Sequence, residues 1–126
     1  MASSVCLNPI NGAITTLDSA ATPILSVPIF DTDVTLSMEV NILARRQSSS
    51  DAKMWHQVML IDKTADANPT STALVNLMTP SGTLGSATWN FSTTFDNDHA
   101  VVNVIGQSGA TINWFATASA LQVMGD

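Results

Sequence analysis

Two histidines, three sparse carboxylate clusters and a single glutamate are the groups in this chain with reactive or ligating chemistry. His99 stands beside Asp96 and Asp98, a grouping that offers a titrating imidazole and hard carboxylate oxygens for proton transfer or metal binding. An exposed turn histidine with acidic neighbours has the same composition, and that plainer reading is favoured. Asp31-Thr32-Asp33 and Asp62, Asp66 and Asn68 are the other acidic groups. Calcium takes six to eight oxygens, usually from a longer acidic loop containing glycine, so none of these clusters suffices by itself. They are read as solvated turns that meet on an ion only if two loops converge. His56 follows Trp55 on a predicted strand and is read as a polar-face or interface residue.

Nucleophilic catalysis needs a serine or cysteine, a base and an orienting group brought together. No serine lies in a Gly-x-Ser-x-Gly elbow, and Glu39, the one glutamate, falls on the wet side of a strand, so paired-glutamate chemistry has no obvious basis. Cys6 is the only cysteine, which excludes an intrachain disulfide and a Cys-x-x-Cys site. Asn90-Phe91-Ser92 matches a glycosylation sequon but lies within a predicted strand and is set aside. The sequence points to a protein that is not an enzyme. No residue is assigned a catalytic, cofactor-binding or metal-ligating role, and no cofactor is expected.

The elements that must carry these groups are strands. Val34, Leu36, Met38, Val40 and Ile42 alternate with Thr35, Ser37, Glu39, Asn41 and Leu43, the cleanest period-two pattern in the chain. Ser86 to Met124 reads as a three-strand meander. Ala87, Trp89, Phe91 and Phe95 share one face of its first strand, Asp96 to His99 turn, Ala100–Ile105 is β-branched, and Gly106-Gln107-Ser108-Gly109 turns again. Ile112, Trp114, Ala116, Ala118 and Ala120 then form an inward row. Pro23–Phe30 is apolar with two prolines, which suits an edge strand. Met54–Ile61 and Leu74–Met78 are further strands, and the loop 45–53, with Arg45 and Arg46, is predicted to be polar and flexible. Asn11-Gly12 between Ile10 and Ile14 suggests either a small hairpin or an arm that orders on a neighbour. The expected fold is all-β, an antiparallel β-sandwich or jelly roll of seven or eight short strands over 23–126, with residues 1–22 as an N-terminal arm or short strands.

With 126 residues and 45% hydrophobic content the chain suffices for one core, while only 11% of it is charged. A surface so poor in charge suits a protein that covers itself with neighbours. The net charge of −6 and the lack of a basic stripe argue against nucleic acid and anionic membranes as partners. The first residues lack a basic leader with a long apolar run, so synthesis in a cytoplasm is expected. Trp89 and Trp114 are expected in the core. Trp55, beside a polar loop, is expected at a binding or subunit contact.

The run Val101-Val102-Asn103-Val104-Ile105-Gly106-Gln107-Ser108-Gly109-Ala110-Thr111-Ile112-Asn113-Trp114-Phe115-Ala116-Thr117-Ala118 resembles a pattern of tailed-bacteriophage virion proteins. In those decoration, fibre and tail-surface proteins, a β-branched strand, a Gly-x-x-Gly turn and a Thr-Ile-Asn-Trp strand close a small β-module. The likeness covers the last third of the chain and carries over no functional residue. It implies a virion location and a structural role, first of all as a capsid decoration (cement) protein with the major capsid protein or another virion protein as partner. A homo-oligomer, dimer or trimer, is expected. The competing reading is a receptor- or carbohydrate-binding module of a fibre, with glycan as ligand and Trp55 and the acidic loops as a shallow site.

Overall fold

The computed structural model describes residues 4–29, 33–64, 68–77, 81–96 and 98–125, with side chains described from residue 9 onward. These residues form nine strands: β1 (Ser4–Thr16), β2 (Ala21–Pro28), β3 (Val34–Arg46), β4 (Ala52–Lys63), β5 (Thr70–Asn76), β6 (Ser81–Gly82), β7 (Asn90–Phe95), β8 (His99–Ile105) and β9 (Ile112–Met124). A single 3-10 turn, Leu84–Ser86, interrupts them. The larger sheet has the order β1-β9-β3-β4-β5, with β6 pairing on β4, and the smaller sheet is β2-β8-β7. All pairings are antiparallel. The fold is an all-β sandwich.

Alternation decides which face of each strand is covered. Val34, Leu36, Met38, Val40, Ile42 and Ala44 of β3 are buried, as are Ile112, Trp114, Ala116, Ala118 and Ala120 of β9. Across the core, Leu25 and Val27 of β2 and Ala100, Val102 and Val104 of β8 close on them from the smaller sheet. One polar tie joins the layers, and a second joins β1 to β9 within the larger sheet. Lys63, buried at the end of β4, donates from Nζ to the Ile29 carbonyl over 2.9 Å. Trp114 donates from its indole nitrogen to Thr16 Oγ1 over 2.9 Å in a buried contact.

The Ser86–Met124 meander expected from sequence is corrected. β7 and β8 do form a hairpin, closed by the Asp96 amide donating to the His99 carbonyl. β9 does not pair with β8; it crosses to the other sheet and lies between β1 and β3. Gly109, at φ 77°, supplies the left-handed residue of that crossing. Ala87 is exposed beside the 3-10 turn, so only Trp89, Phe91 and Phe95 of the expected row face inward. First strand pairs with last and second with last but one, as in a jelly roll. β3, β4 and β5 then form a meander where a jelly roll would nest another pair.

The N-terminal segment is neither an arm nor a hairpin. Residues 4–16 form one thirteen-residue strand along β9, with Asn11 opposite Thr117 and Gly12 opposite Ala116. Gly12 is required by close approach, because a Cβ there would collide with the carbonyl oxygen of Ile24. The prolines fall where expected. Pro23 lies at a register shift in β2, an edge of the smaller sheet, and Pro9 at one in β1, an edge of the larger. The flexible loop is shorter than 45–53, since β3 runs through Arg46 and β4 begins at Ala52. No helix among the described residues is long and apolar enough to cross a membrane.

Candidate functional site

The three tryptophans meet inside the sandwich. Trp55 stacks on Trp114 with ring centroids 5.7 Å apart and planes 17° from parallel, and Trp89 tilts against Trp114 at 6.3 Å. Phe91 presents its edge to Trp55 at 6.0 Å. Trp55 is 4% exposed, which overturns its expected place at an open binding surface. Its position on β4 has the parity of the buried Met59 and Ile61, and parity outweighs the nearby polar loop. Lys53 caps the cluster, its Nζ 5.3 Å from the Trp55 ring centroid and donating to the Trp89 carbonyl over 2.8 Å.

Beside this cluster the two sheets fail to match in width. β2 packs across β1 and β9, and Phe91 of β7 reaches Trp55 of β4, so the smaller sheet ends above β4. Every residue of β5 is therefore exposed. A groove of about 350 Å³ opens there. Its floor is Trp55, Gln57 and Met59 of β4 with Leu74 and Asn76 of β5, and its other wall is β7. Phe91, Thr93 and Phe95 stand opposite Val104, Val102 and Ala100, so all three point inward from β7. Gln57 donates to Asn76 Oδ1 over 3.1 Å, while the buried Thr93 hydroxyl has no hydrogen-bond partner. Among the described residues, no charged side chain lines the groove.

The outward face of the larger sheet is the second surface of note. Strand register places Ala13, Phe115, Leu43 and Met54 side by side across four strands, and Leu121, Ser37, Leu60 and Ala73 in a second such row. Leu43 is 55% exposed and Phe115 49%. Between the rows runs a polar belt in which His56 Nε2 meets Glu39 Oε1 at 2.8 Å. Thr35 donates to Asp62 Oδ1 over 2.5 Å, so a further charge on this face is held by a neighbour. Arg45 is exposed at the edge of the face, while Arg46 is half-buried.

Asp62, expected in an acidic loop, lies instead within β4, paired with Thr35 and Thr70, while Asp96 and Asp98 flank the turn between β7 and β8. Asp96, Asp98 and His99 bring one ligand atom each within 4.8 Å of one another. Their oxygens are already engaged: Asp96 Oδ1 accepts the Asp98 amide at 3.1 Å, and Asp98 Oδ1 lies 2.6 Å from His99 Nδ1. The Asp98 amide, with a smaller effect from His99, holds the Asp96 carboxyl below its ordinary range. Asp31, Thr32, Asp66 and Asn97 lie outside the described residues, as does the side chain of Cys6. The groove was not anticipated from sequence, because a mismatch between sheets is invisible until strand order is known. The only local signal is the pairing of Phe91 with Phe95 around a lone threonine.

Fold and surfaces together define a β-sandwich with one uncharged groove and one apolar outer face. No protein-family model matches the chain, and no curated protein matches it in sequence. Among solved structures, the tailspike protein of Acinetobacter baumannii phage AM24 matches with a TM-score of 0.43 at 7% identity, over 94% of this chain. This chain spans 26% of the length of that one. A likeness of this strength carries no argument about function.

Proposed function

We propose that this chain is a non-enzymatic structural protein of a phage virion, and within that class a decoration protein that docks on the capsid shell. The observation that carries the reading is the outward face of the larger sheet. Its five long strands comprise 13, 13, 13, 12 and 7 residues. At ~3.4 Å per residue and ~4.8 Å between strands this is on the order of 900 Å² of flat surface. A standard protein interface takes about 800 Å² from each partner. Rows rich in apolar side chains, separated by a belt of polar groups that bond one another, resemble the centre of a stable interface, where charged residues are depleted. The scarcity of charge, 11% of the residues, supports the virion part of the reading. Trp55, the aromatic expected to stack a glycan in the fibre-module alternative, is 4% exposed, which favours the docking reading.

The test is cosedimentation of the purified chain with undecorated shells of the phage that encodes it. Leu43 and Phe115 are each about half exposed, leaving about half of the ~1.5–3 kcal/mol that full burial yields. Leu43→Glu and Phe115→Glu should each weaken retention by about three- to tenfold, with unchanged circular dichroism. A wild-type chain that stays in the supernatant, or variants retained like wild type, would refute the docking role.

A further inference from the structure

We propose that the groove between β5 and β7 takes a single extended segment of a partner polypeptide, which joins the smaller sheet as its fourth strand beside β7. β7 pairs with β8 on one side, and among the described residues no strand pairs with its other side. Such an edge presents unpaired main-chain amides and carbonyls, the strongest recognition element an extended chain can meet. Below the vacant position lies the inner face of β5, where Leu74 is 49% exposed although its register partner Met59 is buried. Strands in a sheet lie ~4.8 Å apart and packed sheets ~10 Å, so the space left by the narrower sheet is one strand wide.

The lining also sets the chemistry of the occupant. It contains no charge, so it suits a neutral segment. Leu74, Phe95 and Met59 call for apolar side chains at alternate positions, the pattern a strand presents on one face. Thr93 lies between Phe91 and Phe95 in the inward row of β7, its hydroxyl oxygen buried. β7 is six residues long, so about six residues of the partner are held. The long strands among the described residues are all paired within the two sheets, so the proposed segment is assigned to a partner polypeptide.

The experiment uses the full chain and a fluorescent set of uncharged eight-residue peptides with Val, Ile or Leu at alternate positions and Thr or Ser between. Binding is read by anisotropy, and hydrogen exchange locates it. At least one peptide should bind, slowing exchange in Asn90–Phe95. Leu74→Arg, at a half-exposed position where folding tolerates it, should weaken that peptide by about tenfold or more. Leu43→Glu, on the opposite face of the sandwich, should leave peptide binding unchanged, which keeps this result separate from the docking test. The inference is overturned if no peptide in the set binds, or if binding survives Leu74→Arg. It is equally overturned if a soluble oligosaccharide occupies the groove in place of any peptide, or if the chain alone fills the site by self-association.

Discussion

Replacing Thr16 with valine tests whether the first strand is an integral part of the core. Thr16 is 4% exposed and Trp114 2%, and the only change in shape is a methyl for a hydroxyl. What is lost is the acceptor for the Trp114 indole N–H, 2.9 Å away in the wild type. A buried donor left without a partner costs ~1–3 kcal/mol. For a domain of this size each kcal/mol lowers the melting temperature by roughly 3–6 °C, so a fall of about 5–10 °C is expected. Thr16→Ser keeps the oxygen and removes one methyl, a loss of about 0.8 kcal/mol. Serine should therefore be the milder substitution although it is the smaller side chain. Urea unfolding followed by tryptophan fluorescence gives the stabilities, and the indole proton resonance of Trp114 reports its protection directly. The reasoning fails if valine is as stable as threonine, or more stable than serine. Either result would mean that the Trp114–Thr16 hydrogen bond adds nothing to the hold of β1 beyond its main-chain ladder and packing.

Gly12→Ala should destabilise by about 1–3 kcal/mol through overpacking, since the new methyl meets the Ile24 carbonyl and, at 3.2 Å, Leu25 Cδ2. Alanine in an open strand would instead stabilise slightly, so a raised urea midpoint would show that β1 and β2 are not apposed as described. Asp96→Asn tests the turn between β7 and β8. Because the folded state holds this carboxyl below its ordinary range, its stabilising effect is present above that range and is lost as pH falls through the folded value. The variant should be the less stable at neutral pH, and the gap should close only in strong acid. A carboxyl titration of Asp96 by NMR with a midpoint at or above the usual aspartate value would rule this out.

What could be read from sequence follows the range of the interactions involved. β3 was legible because alternation is a local property, and the inward row of β9 for the same reason. The prolines of β2 announced an edge, since a missing amide is felt wherever the strand lies. The crossing after Ile105 was not legible: a glycine turn that permits a hairpin also permits a change of sheet, and only long-range pairing with β1 and β3, with contacts such as Trp114–Thr16 98 residues apart, selects between them. Gly12 misled in the same way. Asn-Gly favours a turn locally, but here glycine answers a backbone passing close by in space. Trp55 was misplaced because its neighbours in sequence were weighed above its parity on β4. The groove has no local signature beyond Phe91 and Phe95, since it arises from one sheet being narrower than the other.

The place of β9 between β1 and β3 also has a consequence for how the chain is made. Two strand-length rows of hydrogen bonds, on β1 and on one side of β3, stay unsatisfied until Ile112–Met124 has left the ribosome. Pairing across such long sequence separations is slow, and strand edges left waiting are the sites at which nascent chains associate wrongly. Production of this protein should thus be limited by the lifetime of an open-edged intermediate rather than by the stability of the finished sandwich. Slower initiation and lower temperature, which spread nascent chains apart in time, should raise the soluble yield more than any stabilising substitution in the core.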